Sequence, residues 1–357
     1  MRRPAPTCRS RPVMIELAAT ADLLRARIPD LARQLAARLP LGSPQSEVVG
    51  DLRFLLEIFA TGLELGSCGL VDRTLAWQKV RTRALGGDAD ALSRLHGVVA
   101  ELLAPALDAA QRDAVERLLD NAATFVRFAP AEAATGRDPL LQPGGIGHEF
   151  LVAASAGDRL RAQAAARRAG DLPTALRTVI EPAQREIGRL WQGGRLPPAD
   201  EHVITQVVHH VVESLAAEMP PPPADAPLVA MVRAPGDEHA LGQLCASAHV
   251  RGAGFSTRIL ASPPRFEDLV ARLRALAPAA IAITCTTALQ ARSVRGMVAA
   301  IRGEPTLARC VVLLGGHLVL DVPQLPTQLG ADGGACDGPL LATMLRGLLA
   351  RQQPAAV

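Results

Sequence analysis

Apolar positions recur at intervals of three and four through "DLRFLLEIFATGLELG" (51–66) and "HGVVAELLAPALDAAQRDAVERLLDNAATFV" (96–126). That spacing predicts helices with one buried face, and a helical N-terminal domain over residues 14–128. The stretch "APAEAATGRDPLLQPGGIG" (129–147) has the composition of a linker. A second helical block, 146–219, contains "TALRTVIEPAQREIGRLW", the breaker "QGGRLPP", and a helix that Asp200 is expected to cap. On that last helix Val203, Val207, Val208, Val211, Val212 and Leu215 form the expected apolar stripe, while His202, Gln206 and His209 share another face. The run "PPPPADAP" (220–227) reads as a stiff spacer.

Beyond the spacer the period changes. Short apolar runs, "LVAMVR", "FSTRIL", "AAIAIT" and "CVVLLG", alternate with helical patterns such as "PRFEDLVARLRALA" and "ALQARSVRGMVAAIRG". The alternation predicts βαβ units and an open parallel sheet over residues 228–351, an α/β domain. Sheets of this kind bind ligands at the carboxyl ends of their strands.

Composition narrows the function classes. Net charge is +3 and Lys79 is the one lysine, so there is neither a basic nucleic-acid footprint nor a Walker A phosphate loop. Cys8, Cys68, Cys245, Cys285, Cys310 and Cys336 form no C-x-x-C pair and read as small hydrophobes in a reducing compartment. The basic start lacks the apolar core of a signal peptide, and no apolar run is long enough to span a membrane; a cytoplasmic location is expected.

The chemistry gathers at strand ends. After the first strand comes "APGDEHALG", with Asp237-x-His239-x-x-Gly242. An imidazole in a loop at a carboxyl end can reach a ligand, and an aspartate two residues earlier can accept its other ring N–H, fixing the tautomer and raising the basicity of the free nitrogen. A histidine merely bonded to its neighbour would give the same local pattern. The third strand ends with Thr284 and Thr286, the fourth with Gly315 and Gly316; either alone is ordinary turn chemistry.

Taken together, D-x-H-x-x-G, a hydroxyl-bearing strand end and G-G closely resemble the cobalamin-binding domain of methionine synthase, corrinoid proteins and cobalamin-dependent mutases. The resemblance implies a flavodoxin-like, doubly wound parallel sheet that binds cobalamin. It implies His239 as the lower ligand to cobalt, Thr284 and Thr286 at the cofactor's tail, and Gly315 and Gly316 making room for that tail. The family's S-x-L has threonine at both positions here.

Upstream, Trp191 is followed by nine residues and then Glu201-His202. This resembles the helical cap of CarH-type cobalamin photoreceptors, which implies a four-helix-bundle cap whose Trp191, Glu201 and His202 cover the upper face and its adenosyl group. A tryptophan buried in a bundle and a glutamate in a first helical turn would look the same on their own. Where CarH-type proteins carry a histidine after the tryptophan, this chain has Gln192; His202 is then the possible upper ligand.

The N-terminal block shows neither a MerR-type DNA-binding domain nor a recognition helix, so no direct nucleic-acid contact is expected. Its stretch 52–80 loosely resembles the globin-like bundles that precede other sensor domains, which implies protein-partner binding or self-association and admits a second tetrapyrrole. Trp77 and His96 read there as core and surface residues. The expected function is a cobalamin-binding sensory or regulatory protein, responsive to light through adenosylcobalamin, rather than a free-standing enzyme. A corrinoid carrier of a methyltransferase system and a haem-binding sensor are the alternatives.

Overall fold

The computed structural model describes residues 11–38, 45–88, 91–130, 138–261 and 265–352. The basic start with Cys8, and residues 131–137 of the linker, lie outside the described residues. The chain forms two compact units, Met1–Ala133 and Ala134–Val357.

The first unit is built from helices α1 (Arg11–Arg38), α2 (Gln45–Leu65), α3 (Cys68–Ala84), α4 (Ala91–Leu103) and α5 (Ala109–Phe128). Their buried stripes supply Leu24, Leu31, Leu52, Leu56, Phe59, Leu70 and Leu119 to one core. Lys79 is buried, and its ammonium donates to the carbonyls of Val126 (2.6 Å) and Ala129 (2.9 Å), capping the end of α5 where the helix dipole favours a cation. Arg25 bridges α1 to α2 through Glu57 (2.6 Å) and Glu64 (2.7 Å).

Asp72, on α3, is a liability in this unit. Burial pushes its carboxyl up from 3.8 to about 6, and its buried Oδ1 has no hydrogen-bond partner. Between those values the folded chain holds a proton that the unfolded chain has released, so stability falls as pH rises through the window and is level above it. The full linkage value is about 3 kcal/mol, and solvent reaching the half-buried group leaves about 1 kcal/mol of it. Asp72→Asn should therefore raise the stability of this unit by about that amount at pH 8 and by little at pH 4. Urea unfolding followed by Trp77 fluorescence in a Trp191→Phe background checks this; a gain that does not change with pH would rule Asp72 out as the cause.

The second unit begins earlier than the linker composition suggests. Asp138 Oδ1 accepts from the Leu140 N–H (3.0 Å), fixing a turn of 3-10 helix at Pro139–Leu141 that buries Leu141. The helical bundle follows: α6 (Ile146–Ser155), α7 (Arg159–Arg168), α8 (Leu172–Ala175), a π-helical turn (Leu176–Ile180), α9 (Glu181–Gln192) and α10 (Pro198–Glu218). Two expectations on α10 need correcting. Its N-cap is Pro197 and Asp200 lies inside the first turn, because Pro198 at the first helical position starts the helix sooner. Ile204, not Val203, completes the buried stripe; Val203 is 56% exposed.

The α/β domain holds strands β1 (Leu228–Arg233), β2 (Ser256–Leu260), β3 (Ala280–Thr284), β4 (Val311–Gly315) and β5 (Gly333–Ala335) in the order β2-β1-β3-β4-β5, with all strand pairs parallel. Helices α11 (Ala240–Gly252), α12 (Phe266–Leu276), α13 (Ala291–Gly303), α14 (His317–Asp321), α15 (Leu325–Gln328) and α16 (Gly338–Gln352) connect and flank them. The inner strands are buried on both faces, as a doubly wound sheet requires. Val229, Met231, Ala282 and Leu313 pack towards Val250 of α11 and Leu341 and Leu345 of α16. Strand order reverses between β1 and β3, so the crevice at this switch point opens at their carboxyl ends.

Candidate functional site

The loop from β1 to α11 is set by local backbone chemistry. Gly236 takes φ 75°, the Asp237 N–H bonds back to the Ala234 carbonyl (3.0 Å), and His239 becomes the N-cap of α11. The Asp237 side chain is 0% exposed. Its Oδ1 accepts from the His239 backbone N–H (3.0 Å) and pairs with His239 Nδ1 (2.8 Å), while Oδ2 accepts from the Thr286 N–H (2.9 Å). One carboxylate thus ties the β1 loop to the β3 loop across the switch point.

Burial alone would raise the Asp237 carboxyl; the His239 and Thr286 bonds outweigh it and hold the group below the usual carboxylate range. A carboxylate held ionised accepts from a protonated Nδ1, so in the neutral imidazole the lone pair is on Nε2. The ring is 61% exposed and offers that lone pair to a ligand. Its Asp237 bond raises the imidazole above its ordinary 6.5, and the charges of Glu201 and Glu238 push the same way.

The other strand ends complete the rim. Thr286 contributes its backbone N–H to Asp237, a role its side chain did not announce. Thr287 and Gln290 cap the next turn, with the Thr287 N–H on Gln290 Oε1 (2.8 Å) and Gln290 Nε2 reaching the Gly236 carbonyl (3.4 Å). The capping-box spacing of "TALQ" was the available signal for this pair. Gly316 takes φ 97°, and a Cβ there would lie 2.4 Å from the Cys285 carbonyl oxygen. At Gly242, on the first turn of α11, a Cβ would meet nothing within 4 Å.

The bundle residues divide. Trp191 and Gln192 end α9 half-buried. Glu201 accepts from Thr205 Oγ1 (2.7 Å), one turn further along α10. His202 is 78% exposed and lines a groove of about 350 Å³ with Gly157, Arg159, Val203, Gln206 and Val207. In the N-terminal unit, Trp77 and His96 are both half-buried, neither core nor free surface.

These groups suit a corrinoid. It needs an axial nitrogen, which His239 Nε2 could supply, and hydrogen-bond donors for its peripheral amides. Gln243, one turn beyond His239 on α11, holds a buried Nε2 with no partner, and Arg233 at the end of β1 holds a buried Nε in the same condition. Cobalt would be held by one histidine; no cluster of three or more His, Cys, Asp or Glu able to hold a metal exists among the described residues.

Residues 227–340 match a family model described as B12 binding domain, and residues 146–216 match a second model of the same description. Residues 227–340 are a B12-binding domain. The bundle that leads into it is the helical cap of the same cobalamin-binding architecture. Among solved structures, the chain is similar to the Methanosarcina barkeri monomethylamine corrinoid protein, at 14% identity over 56% of this chain and 96% of that one, TM-score 0.49. It is similar to a cobalamin-binding protein from Desulfitobacterium hafniense at 16% identity over 57% and 98%, TM-score 0.33. The methanol:cobalamin methyltransferase complex of Methanosarcina barkeri gives 15% identity over 62% and 84%, TM-score 0.32. No curated protein matches the chain. No helix among the described residues is long and apolar enough to cross a membrane.

Proposed function

We propose that this chain is a cobalamin-dependent sensor that holds adenosylcobalamin between His239 and the helical cap. The observation that supports it most is the exposed His239 ring, oriented by the buried Asp237 at the carboxyl end of β1, in a domain that directly follows the helical cap. On this reading His239 ligates cobalt from below; Thr284, Thr286, Gly315 and Gly316 line the tail's path; and Trp191, Glu201 and His202 cover the upper face. The cofactor supplies a cobalt–carbon bond that light can break. The chain's own residues orient it, hold the Nδ1 proton of the lower imidazole on Asp237 so that Nε2 is the nitrogen turned to a metal, and shield the upper ligand. The N-terminal helical unit would carry the signal to a protein partner.

The test is the visible spectrum of the purified chain with adenosylcobalamin, in the dark and after illumination. A light-dependent change to a stable, still-bound product supports the sensor. A complex indifferent to light that instead exchanges methyl groups with a methyltransferase supports the corrinoid carrier. In the lit state, His202→Ala and Gln192→His ask which side chain takes the upper position. A bis-histidine spectrum that survives His202→Ala would remove His202 from that role.

The cap makes a separable prediction. If the Trp191 indole packs on the adenosyl group, Trp191→Ala should weaken adenosylcobalamin by about tenfold or more while changing hydroxocobalamin little. Equilibrium dialysis with both forms decides it; equal losses would mean that Trp191 serves only the bundle core.

A further inference from the structure

Helix α11 carries the lower-ligand histidine at one end and the docking contacts of the cap at the other. His239 is its N-cap. About 15 to 20 Å along the axis, His249 Nε2 meets Glu181 Oε1 (2.9 Å), Arg251 donates to the carbonyls of Ala216 (2.9 Å) and Met219 (3.4 Å), and Gly252 lies against Pro173. A Cβ on Gly252 would come within 2.5 Å of the Pro173 ring. The His249 ring is 4% exposed and leaves no room for a Cβ on Gly338, which would sit 2.4 Å from it, so the imidazole is clamped between α16 and the cap.

The cap presents one continuous helical path to these contacts. It runs from α8 through the π-helical turn to α9, bearing Pro173, Glu181 and finally Trp191. In an unbroken α-helix, eight residues would rotate Glu181 about 80° away from Pro173. The extra residue wound into the π turn reduces this to about 20°, so both face α11. The wide turn, which has no other evident purpose, aims Glu181 at His249.

We propose that Glu181 and His249 are positioning residues that set the placement of Trp191 over the cofactor's upper face, linking it through α11 to the lower ligand. The proposal rests on the reading that Trp191 covers the adenosyl group. Glu181 lies ten residues before Trp191 on α9, under three turns of rigid helix, so a tilt at the Glu181–His249 contact is carried to the indole. Both lie at the end of α11 remote from His239.

The experiment uses the full chain with Trp77→Phe, which leaves Trp191 as the one indole. Glu181→Ala, Glu181→Gln, His249→Phe and Trp191→Ala are compared in that background. Trp191 emission is read without cofactor, and dialysis gives the preference for adenosylcobalamin over hydroxocobalamin. Glu181→Ala and His249→Phe should shift the emission and cut the preference about five- to tenfold, with the histidine-ligated spectrum unchanged. Glu181→Gln, which keeps an acceptor for the imidazole, should restore both. Should His249→Phe fail to fold, Glu181→Ala at its partly exposed position still decides the matter. Wild-type emission and preference in Glu181→Ala, alongside a lost preference in Trp191→Ala, would overturn the positioning role. A Trp191→Ala chain that keeps its preference would instead overturn the upper-face reading, and the inference with it.

Discussion

Replacing His239 with alanine is expected to weaken cobalamin binding by about 100-fold or more and to remove the histidine-ligated spectrum. Two observations set that size. The ring is exposed at the β1–β3 switch point with Nε2 free, and Asp237 is spent entirely on orienting it and fixing the neighbouring loop. Asp237→Asn should give a smaller but still large loss, about 10- to 100-fold, with ligation retained. An amide cannot accept at both ends, so either the imidazole N–H or the Thr286 N–H meets another donor and one tie across the switch point is broken. Dialysis and the visible spectrum of each variant are the measurements. The rival imidazole on this edge is His317, which opens α14 directly after Gly316. A histidine-ligated spectrum that survives His239→Ala and disappears in His317→Ala would move the ligand there.

The architecture of the second unit was legible because its signals are periodic. Strand runs such as "LVAMVR" and "CVVLLG" are buried on both faces, and that burial is the reason they read as unbroken apolar stretches. The pairing of Asp237 with His239 was legible for a different reason: two residues in one loop have few ways not to meet. What escaped depends on contacts that no local pattern encodes. Thr286 lies 49 residues from Asp237, and its backbone amide, which every residue has, is the group used. Glu181 and His249 lie 68 residues apart, and the π turn that brings them together leaves no composition signal in "LRTVI". On α10 the apolar face was read one position off, at Val203 rather than Ile204, since a run of valines satisfies more than one helical stripe. The burial of Leu141 within the linker-like stretch escaped because the turn that buries it is built from a proline and an aspartate that look like punctuation.

Gly316→Ala is expected to destabilise the α/β domain by about 3–5 kcal/mol, a large part of what a domain of this size has. An alanine held near φ 97° costs about 1–2 kcal/mol before any contact is counted. Its Cβ would then lie 2.4 Å from the Cys285 carbonyl oxygen and 2.9 Å from the carbonyl carbon. Cys285 cannot step aside cheaply, because its N–H bonds the Gly315 carbonyl (2.8 Å) and its carbonyl accepts from the Leu318 N–H (3.3 Å). Relief requires β3 and β4 to part at their carboxyl ends, which also spreads the site. The neighbouring glycines separate this backbone demand from any demand of the cofactor. Gly315 has no positive φ, and a Cβ there would approach only the Ala335 carbonyl oxygen at 3.3 Å, so Gly315→Ala should cost about 1 kcal/mol or less. Gly242→Ala, in open space on α11, should stabilise the helix by about 0.5–1 kcal/mol. It should nonetheless weaken cobalamin binding if the cofactor approaches the backbone there. Urea midpoints without cofactor and dialysis with it resolve the three. Equal midpoints for Gly315→Ala and Gly316→Ala, with binding lost in both, would show that the glycine pair is there for the ligand and not for the turn.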